Sequence, residues 1–456
     1  MTTASKGYAA LLTLALASVL ASGAAQAAPM NLLQAYQAAL QNDPTYRSAI
    51  YENQAGQEAR IMGRSNLLPK LSGRYATSKN QADITQSGKN MLGQPVTQTT
   101  QRDYTSLNAG VTLRQPLVNF EALALYNQGI AKTHYSDAQF VGRSQELMLR
   151  LVGAYADAQY SEDQLMLAMA QRDAYREQMH VNERLFKQGE GTKTDMLETE
   201  AHANLAEAQV LEAQDNVTVA RNTLAGIVGM EVTELAPLNQ DFRLLPLQPA
   251  TFQEWRDLAM TKNAEIVALG YGVEIAREEI NRQRAGHAPS MDLVAGYSKQ
   301  KSSATNTINQ DDNVRSIGVE VNIPLFSGGY TSSATRQAVA NAEKARSDLD
   351  AKINQVSVEL RKQFSLMQSA GPRIDALVKS ADSASLLIKA TQQSIKGGVR
   401  INLDLLNAQQ QLYTSRRDLA LARYNYLLAY LRMRSAAGTL NQQDLGNIAG
   451  YFMAAQ

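Results

Sequence analysis

The residues best placed to do chemistry lie in two short glycine-bearing segments, KQGEGTKTD (residues 187–195) and KGGVRINLD (residues 396–404). Each segment ends in an aspartate, Asp195 or Asp404, where a second helical stretch begins. An acid in the first turn of a helix is favoured by the helix dipole, and the glycines permit tight turns. No nucleophile, base or metal cluster appears in the sequence, so an enzyme is the least favoured interpretation.

Several other kinds of chemistry are disfavoured. The GEGTKT stretch lacks the spacing of a phosphate loop and follows a helical run, and the chain has no cysteine for a disulfide or a thiolate metal site. Lys and Arg number 44 against 43 Asp and Glu, so net charge gives no case for nucleic acid. We expect no enzyme, no cofactor, no metal and no nucleic-acid partner. The histidines also lack metal-ligand spacing: His134, His180, His202 and His287.

The N-terminus has the pattern of a secretory signal peptide. Lys6 precedes an apolar stretch over residues 9–21, and Ala25-Gln26-Ala27 provides a small-residue cleavage site. We therefore predict a signal peptide over residues 1–27. No later apolar run approaches the roughly 18 residues that a spanning helix needs, so membrane insertion would have to use strands.

The rest of the chain contains an internal repeat. Pro116 and Pro324 follow matching alternating stretches, and the second copy repeats the glycine turn and the aspartate that follows it. Such self-similarity predicts a duplicated structural unit. The predicted segments are a signal peptide (1–27), a first repeat (28–230), a linker (231–256), a second repeat (257–440) and a C-terminal tail (441–456).

Each repeat contains a pair of strands. Period-2 alternation of apolar and polar residues over 107–114 and 316–323 predicts strands with one apolar face. Polar loops are expected to join the pairs over residues 77–102 and 299–312. The strands alone fit either a soluble sandwich or membrane strands of about ten residues.

The helical runs favour the membrane interpretation. In the second half a helical run of about 67 residues extends from about residue 331 to 396, and another helix ends near residue 437. A run of that length spans roughly 100 Å, longer than a globular domain of this size accommodates. In the second half, apolar residues at Leu349, Ile353, Val356 and Leu360 follow a coiled-coil rhythm. Four strands cannot close a barrel that needs about eight, so several chains must contribute, two giving eight strands and three giving twelve.

Four stretches carry a resemblance to a known family: RSNLLPKL (64–71), IPLFSGG (323–329), LARYNYL (421–427) and SAAGTLNQQDL (435–445). With the duplicated unit, they resemble the TolC family of outer-membrane channel-tunnels over essentially the whole mature chain. The resemblance implies an α+β membrane protein that assembles as a homotrimer. Each chain would contribute four strands to one transmembrane β-barrel and long helical hairpins to a periplasmic α-barrel, with the linker (231–256) and the C-terminal tail (441–456) in an equatorial region.

The same resemblance implies a function and partners. The chain would be a passive exit duct for efflux or type I secretion in the outer membrane of a Gram-negative bacterium, embedded in lipid. A periplasmic adaptor and an inner-membrane pump, ABC-type or proton-driven, would recruit it and open its periplasmic end.

Site roles follow from matching family positions. Asp404 and Asn407 are expected to line the pore constriction, where many relatives have two acids. The tips that receive the adaptor are expected at Gly189, Gly191, Gly397 and Gly398. Gate tethers are expected at Arg400, Arg423, Thr194 and Asp195, while the tyrosine that many relatives use there is Ile395 in this sequence. A simpler interpretation makes Asp404, Thr194 and Asp195 ordinary residues of helix starts.

Two other functions are compatible with long helices. A periplasmic adaptor would carry one hairpin within split β-domains, and a secreted helical assembly or filament protein would not need paired strands at fixed intervals. The two strand-flanked hairpins favour the duct over both.

Overall fold

The computed structural model describes residues 29–239, 241–302, 310–397 and 399–452. The signal peptide predicted for residues 1–27 lies outside these ranges. Through them the order helix, helix, strand, strand, helix, helix occurs twice. The first series is α1 (Leu32–Asn42), α2 (Pro44–Ser65), β1 (Lys70–Lys89), β2 (Pro95–Val118), α3 (Phe120–Gln188) and α4 (Lys193–Val228). The second is α5 (Phe252–Lys262), α6 (Ala264–Ala285), β3 (Ser290–Ser302), β4 (Gln310–Asn322), α7 (Tyr330–Lys396) and α8 (Asn402–Ala436), before α9 (Gln442–Ala449) and a 3₁₀ turn (Gly450–Phe452).

Polar caps define the short helices. Asn31 accepts a hydrogen bond from the Gln34 backbone N–H at 2.8 Å, and the Gln34 side chain returns one to Asn31, completing a capping box. Thr251 and Glu254 do the same for α5. These reciprocal caps fix where each helix begins because they satisfy backbone donors that have no partner inside the helix.

The predicted long helices are confirmed. The run expected from about residue 331 to 396 is α7, and the helix expected to end near 437 is α8. Helix α7 continues through Pro372, and Leu244 packs against Gly371, where an added Cβ would lie 2.8 Å from the leucine Cδ1. The linker therefore contacts α7 at the Gly-Pro step.

Equivalent glycines end α4 and α8. Gly229 has φ +78° and Gly438 has φ +70°, a left-handed conformation that favours glycine. A Cβ on Gly438 would lie 2.1 Å from the Lys262 carbonyl oxygen, and one on Gly229 would lie 2.4 Å from Asn42 Cβ. Each short helix thus ends against the C-terminus of a long one, and the junction has the same form in both halves.

The four strands form one antiparallel sheet in the order β1-β2-β3-β4. The prediction of a polar loop over residues 77–102 is wrong for most of that segment. Strands β1 and β2 continue to Lys89 and Pro95 and are joined by a tight turn at Gly93, whose φ is +78°. Hydroxyl pairs across the two-stranded β1–β2 ribbon explain why this segment is strand and not loop. The Thr85 and Thr99 hydroxyl oxygens are 2.9 Å apart, and threonine favours strands although it is polar.

The chain divides into two compact units. The first contains the residues up to Tyr51 with Phe140–Ile266 and Ile353–Gln456, and its fully buried side chains include Trp255, Tyr155 and Phe452. Tyr155 meets Phe452 edge-on at 5.0 Å between ring centroids. The C-terminal turn is therefore part of this core.

The second unit comprises Glu52–Gln139 and Val267–Lys352 and contains the sheet. Its helical part includes Glu279, which accepts hydrogen bonds from Arg282 and Gln283. The Arg282 guanidinium lowers the pKa of the Glu279 carboxyl to about 2. Among the helices of the described ranges, none combines the length and apolar character that crossing a membrane requires.

We predict that Asp444→Ala lowers the free energy of unfolding by about 3–5 kcal/mol, because it leaves a largely buried arginine without its partner. Asp444 is 2% exposed, lies 2.9 Å from Arg434 and accepts from the Tyr430 hydroxyl at 3.1 Å. Thermal unfolding followed by circular dichroism in detergent measures the loss. The matched control, Asp348→Ala, breaks an exposed pair with Lys344 and should shift the midpoint little; equal shifts would contradict the assignment.

Candidate functional site

The tip of the first hairpin joins α3 to α4 through a glycine turn. Gly189 has φ +75°, and the backbone N–H groups of Glu190 and Gly191 both donate to the Leu185 carbonyl. The next residue, Thr192, is the N-cap of α4, and its hydroxyl oxygen accepts a hydrogen bond from the Asp195 backbone N–H at 3.0 Å. The tight turn predicted at Gly189 and Gly191 is confirmed.

Asp195 is engaged inside its own turn. Its carboxylate accepts a hydrogen bond from the Thr192 hydroxyl at 2.6 Å, whereas Thr194 is exposed. Within the described residues, no hydrogen bond or ion pair joins Thr194 or Asp195 to Arg400 or Arg423. The simple helix-start role is therefore observed for Asp195, and the tether role stays a prediction.

The tip of the second hairpin joins α7 to α8. The Val399 N–H donates to the Ser394 carbonyl at 2.9 Å, and Gly397 donates to Gln393 at 3.1 Å. Gly398 lies outside the described residues. Val399 is 81% exposed and Ile401, the residue preceding α8, is 63% exposed, so this tip carries an apolar surface.

The predicted constriction residues share one face of α8. Asp404 and Asn407 are three residues apart, which aligns them on a helix, and both are accessible to solvent. The Arg400 guanidinium lies 4.0 Å from the Asp404 carboxylate, one turn away. A predicted tether and a predicted pore acid thus meet at the start of α8.

Arg423 lies elsewhere. It is 21 residues beyond the start of α8, roughly 30 Å along the helix. Its guanidinium lies 5.6 Å from the Phe242 ring centroid, and Tyr424 beside it donates to the Asp163 carboxylate at 2.8 Å. Burial raises the pKa of the Asp163 carboxyl, and the hydrogen bond from Tyr424 partly offsets this rise. Burial lowers the pKa of Arg423.

A buried amide network near the tips was not predicted. Thr199, fully buried on α4, accepts hydrogen bonds from Asn182 of α3 at 2.7 Å and from Asn402 of α8 at 3.0 Å. Gln178 of α3 donates to Asn402 at 2.8 Å. The network joins both helices of the first hairpin to Asn402, the first residue of α8 in the second hairpin.

An apolar layer covers this network. Tyr175, Ala203, Ala206 and Leu406 form one buried cluster between the same three helices. Beyond it Gln171 donates to Gln410 at 2.6 Å, forming a second polar layer. Polar and apolar layers therefore alternate along the packed hairpins, and each polar layer spans α3 and α8.

Sequence signals for the network existed but were weak. Gln178 and Asn182 are four residues apart on one helical face, and Asn402 opens α8 directly after the glycine turn. An isolated polar residue in an apolar stripe does not reveal its partner on another helix. The arrangement offers neutral hydrogen bonds, each with a net worth of about 0.5–1.5 kcal/mol, rather than covalent chemistry.

The chain is similar to known proteins over most of its length. The family model described as outer membrane efflux protein matches residues 35–230 and 255–439. The chain is 41% identical over 435 residues to the alkaline protease secretion protein AprF of Pseudomonas aeruginosa, covering 94% of this chain and 88% of that one. It is 39% identical to the proteases secretion protein PrtF of Dickeya chrysanthemi, covering 98% and 96%.

A solved structure shares the fold. The outer membrane channel CmeC of Campylobacter jejuni superposes with a TM-score of 0.77 at 14% sequence identity, covering 92% of this chain and 90% of that one. The two matched stretches of the family model together span most of the chain and include both hairpins and the sheet. The chain therefore belongs to the outer membrane efflux protein family.

Proposed function

We propose that this chain is the outer-membrane exit duct of a type I secretion system and conducts a polypeptide passively from an inner-membrane pump to the cell exterior. The observation that carries the proposal is the similarity, over nearly its whole length, to two proteins named for protease secretion. The duct is an outer-membrane protein that extends into the periplasm, and its energy comes from the pump.

The sheet supports a homotrimer closed into one barrel. In a single chain β1 and β4 are the outer strands of the sheet and lack a neighbour on one side. Unpaired strand edges are not tolerated in hydrocarbon, so copies must pair edge to edge. Three chains give twelve strands with cyclic symmetry. Lipid covers the outward, apolar face of the sheet. In a single chain, Leu71 and Ile317 on this face are 71% and 77% exposed.

The other face suits a water-filled passage. One row across the sheet contains only small side chains, aligned by the strand register: Ser72, Thr112, Gly296 and Ser316. Nearer the helices Asp292 and Glu320 lie opposite each other, and Arg114 bridges them at 2.7 and 2.8 Å. A wide, polar lumen fits an unfolded polypeptide better than a narrow apolar one.

The hairpin tips form the gate in this proposal. Three copies of Asp404 and Asn407 surround the narrowest point, and Arg400 beside Asp404 moderates its charge. The exposed tips at Gly189, Gly191, Gly397 and Gly398 receive a periplasmic adaptor, which couples the duct to an ABC-type or proton-driven pump. Arg400 with Thr194 and Asp195 on the other hairpin supplies tethers that hold the resting state at the tips, and Arg423 adds a tether roughly 30 Å farther along α8.

Asp404→Ala should reduce the cation preference of the resting channel, because it removes an anionic ring from the constriction. Single-channel recordings in planar bilayers under a salt gradient give the reversal potential, which should move toward zero. Asp215→Ala, an exposed acid on α4, should leave the reversal potential unchanged. A wild-type channel without selectivity, or an equal shift in both variants, would argue against the Asp404 ring.

Thr199→Val should open the gate more readily. It removes the hydroxyl that Asn182 and Asn402 share and leaves the buried Asn402 amide N–H without its acceptor in the closed arrangement, a cost of about 1–3 kcal/mol. The fraction of time in the larger conductance state should rise roughly 5- to 150-fold over this range.

The matched control is Thr218→Val on the same helix. Thr218 is exposed, and its hydroxyl donates only to the Gln214 carbonyl one turn back. Its channel should behave as wild type. Unchanged gating in Thr199→Val, with the protein folded, would show that the amide network does not hold the hairpins closed.

A further inference from the structure

Cations and acids are segregated between the two faces of β3 and β4. These strands contain three cations, Lys299, Lys301 and Arg315, and the register places all three on the apolar face. Three of their four acids lie on the polar face instead: Asp292, Asp312 and Glu320. We call the three cations the cationic cluster.

The cluster lies at one end of the apolar band. On β3 the apolar face runs from Met291 to Tyr297, about 20 Å at the usual strand rise, and the lysines follow directly. Arg315 is paired opposite Tyr297 in the register, and its guanidinium lies 5.9 Å from that ring centroid. Tyr75 is aligned through Ala109 with Lys299. Tyrosines in this position are typical of the boundary between hydrocarbon and headgroups.

One carboxylate on this face accompanies the lysines. Asp311 lies 2.8 Å from Lys301 and 3.8 Å from Lys299. A single negative charge balances one of three positive charges, so the apolar face of these two strands keeps a net charge of about +2 at neutral pH. The lysine side chains remain 39% and 48% exposed.

Cations on a lipid-facing surface are tolerated only near the interface. Here the three cations face away from the lumen, so they do not contact cargo. They lie near the end of β3 and the beginning of β4, on the side of the sheet away from the long helices. We propose that the cationic cluster binds the phosphate groups of an anionic glycolipid in the outer leaflet of the membrane. This inference rests on the proposed function, because it requires the sheet to span the outer membrane with its hairpins outward.

The test uses full-length protein in dodecyl maltoside micelles, titrated with fluorescent diphosphorylated lipid A and followed by anisotropy. Each single change, K299Q, K301Q or R315Q, should weaken binding about fivefold, and the triple variant on the order of 100-fold. Binding should weaken with salt. Millimolar inorganic phosphate should not displace the lipid, since its acyl chains pack on the apolar band.

The matched control is R74Q. Arg74 lies level with Ser298 and Val314 but on the polar face of the sheet, so its loss should leave lipid binding unchanged. Equal weakening in R74Q, wild-type binding by the triple variant, or equal binding of dephosphorylated lipid A would overturn the proposal.

Conductance of the same preparations in phosphatidylcholine bilayers separates the two claims. The triple variant should conduct like wild type while failing to bind lipid A. A wild-type protein that binds lipid A without conducting would refute the duct and leave the lipid site standing. A protein that conducts without binding lipid A would refute the lipid site alone.

Discussion

Close approach of long helices is the constraint on which this structure depends. Helices of 69 and 67 residues cannot surround one central core, so each turn must find its burial against an adjacent helix. Alanine is accordingly the most frequent buried apolar residue in the described part of the chain. Small side chains bring backbones together but specify register weakly. Polar layers such as Thr199 with Asn182 and Asn402 supply that register, because a shifted helix would leave buried amides unpaired.

The same polar layers suit the gating movement that we propose. Charged pairs buried between the hairpins would be costly to separate, whereas neutral amides make bonds of modest net strength. The charged side chains of Asp404, in the first turn of α8, and Arg400, just before it, are instead accessible to solvent. The 4.0 Å distance between them is at the upper limit for an ion pair. Stability thus comes from packing and from α9 with its buried Asp444, while the tips keep weaker contacts.

Much of the fold could be predicted from the sequence. Prolines and glycines mark the ends of long helix-forming runs, so the bounds of α7 and α8 followed closely, and alternation located β2 and β4. The long β1–β2 ribbon was missed because Thr, Gln and Ser were interpreted by polarity, whereas cross-strand hydroxyl pairing determines their conformation. The amide network and the location of Arg423 were missed for another reason: partners on separate helices depend on packing that no local pattern encodes.

In the proposed membrane-spanning barrel, the unequal lengths of the β1–β2 and β3–β4 strand pairs determine how deeply the sheet is inserted. β3 pairs with β2 only from Leu107 toward the helices, while β1 and β2 remain paired out to Lys89 and Pro95. Both faces of this extension carry Thr, Ser and Gln, so it requires water on both sides. Sinking the protein deeper would place these groups in hydrocarbon, and raising it would expose the apolar band. The ribbon therefore fixes the insertion depth of the sheet.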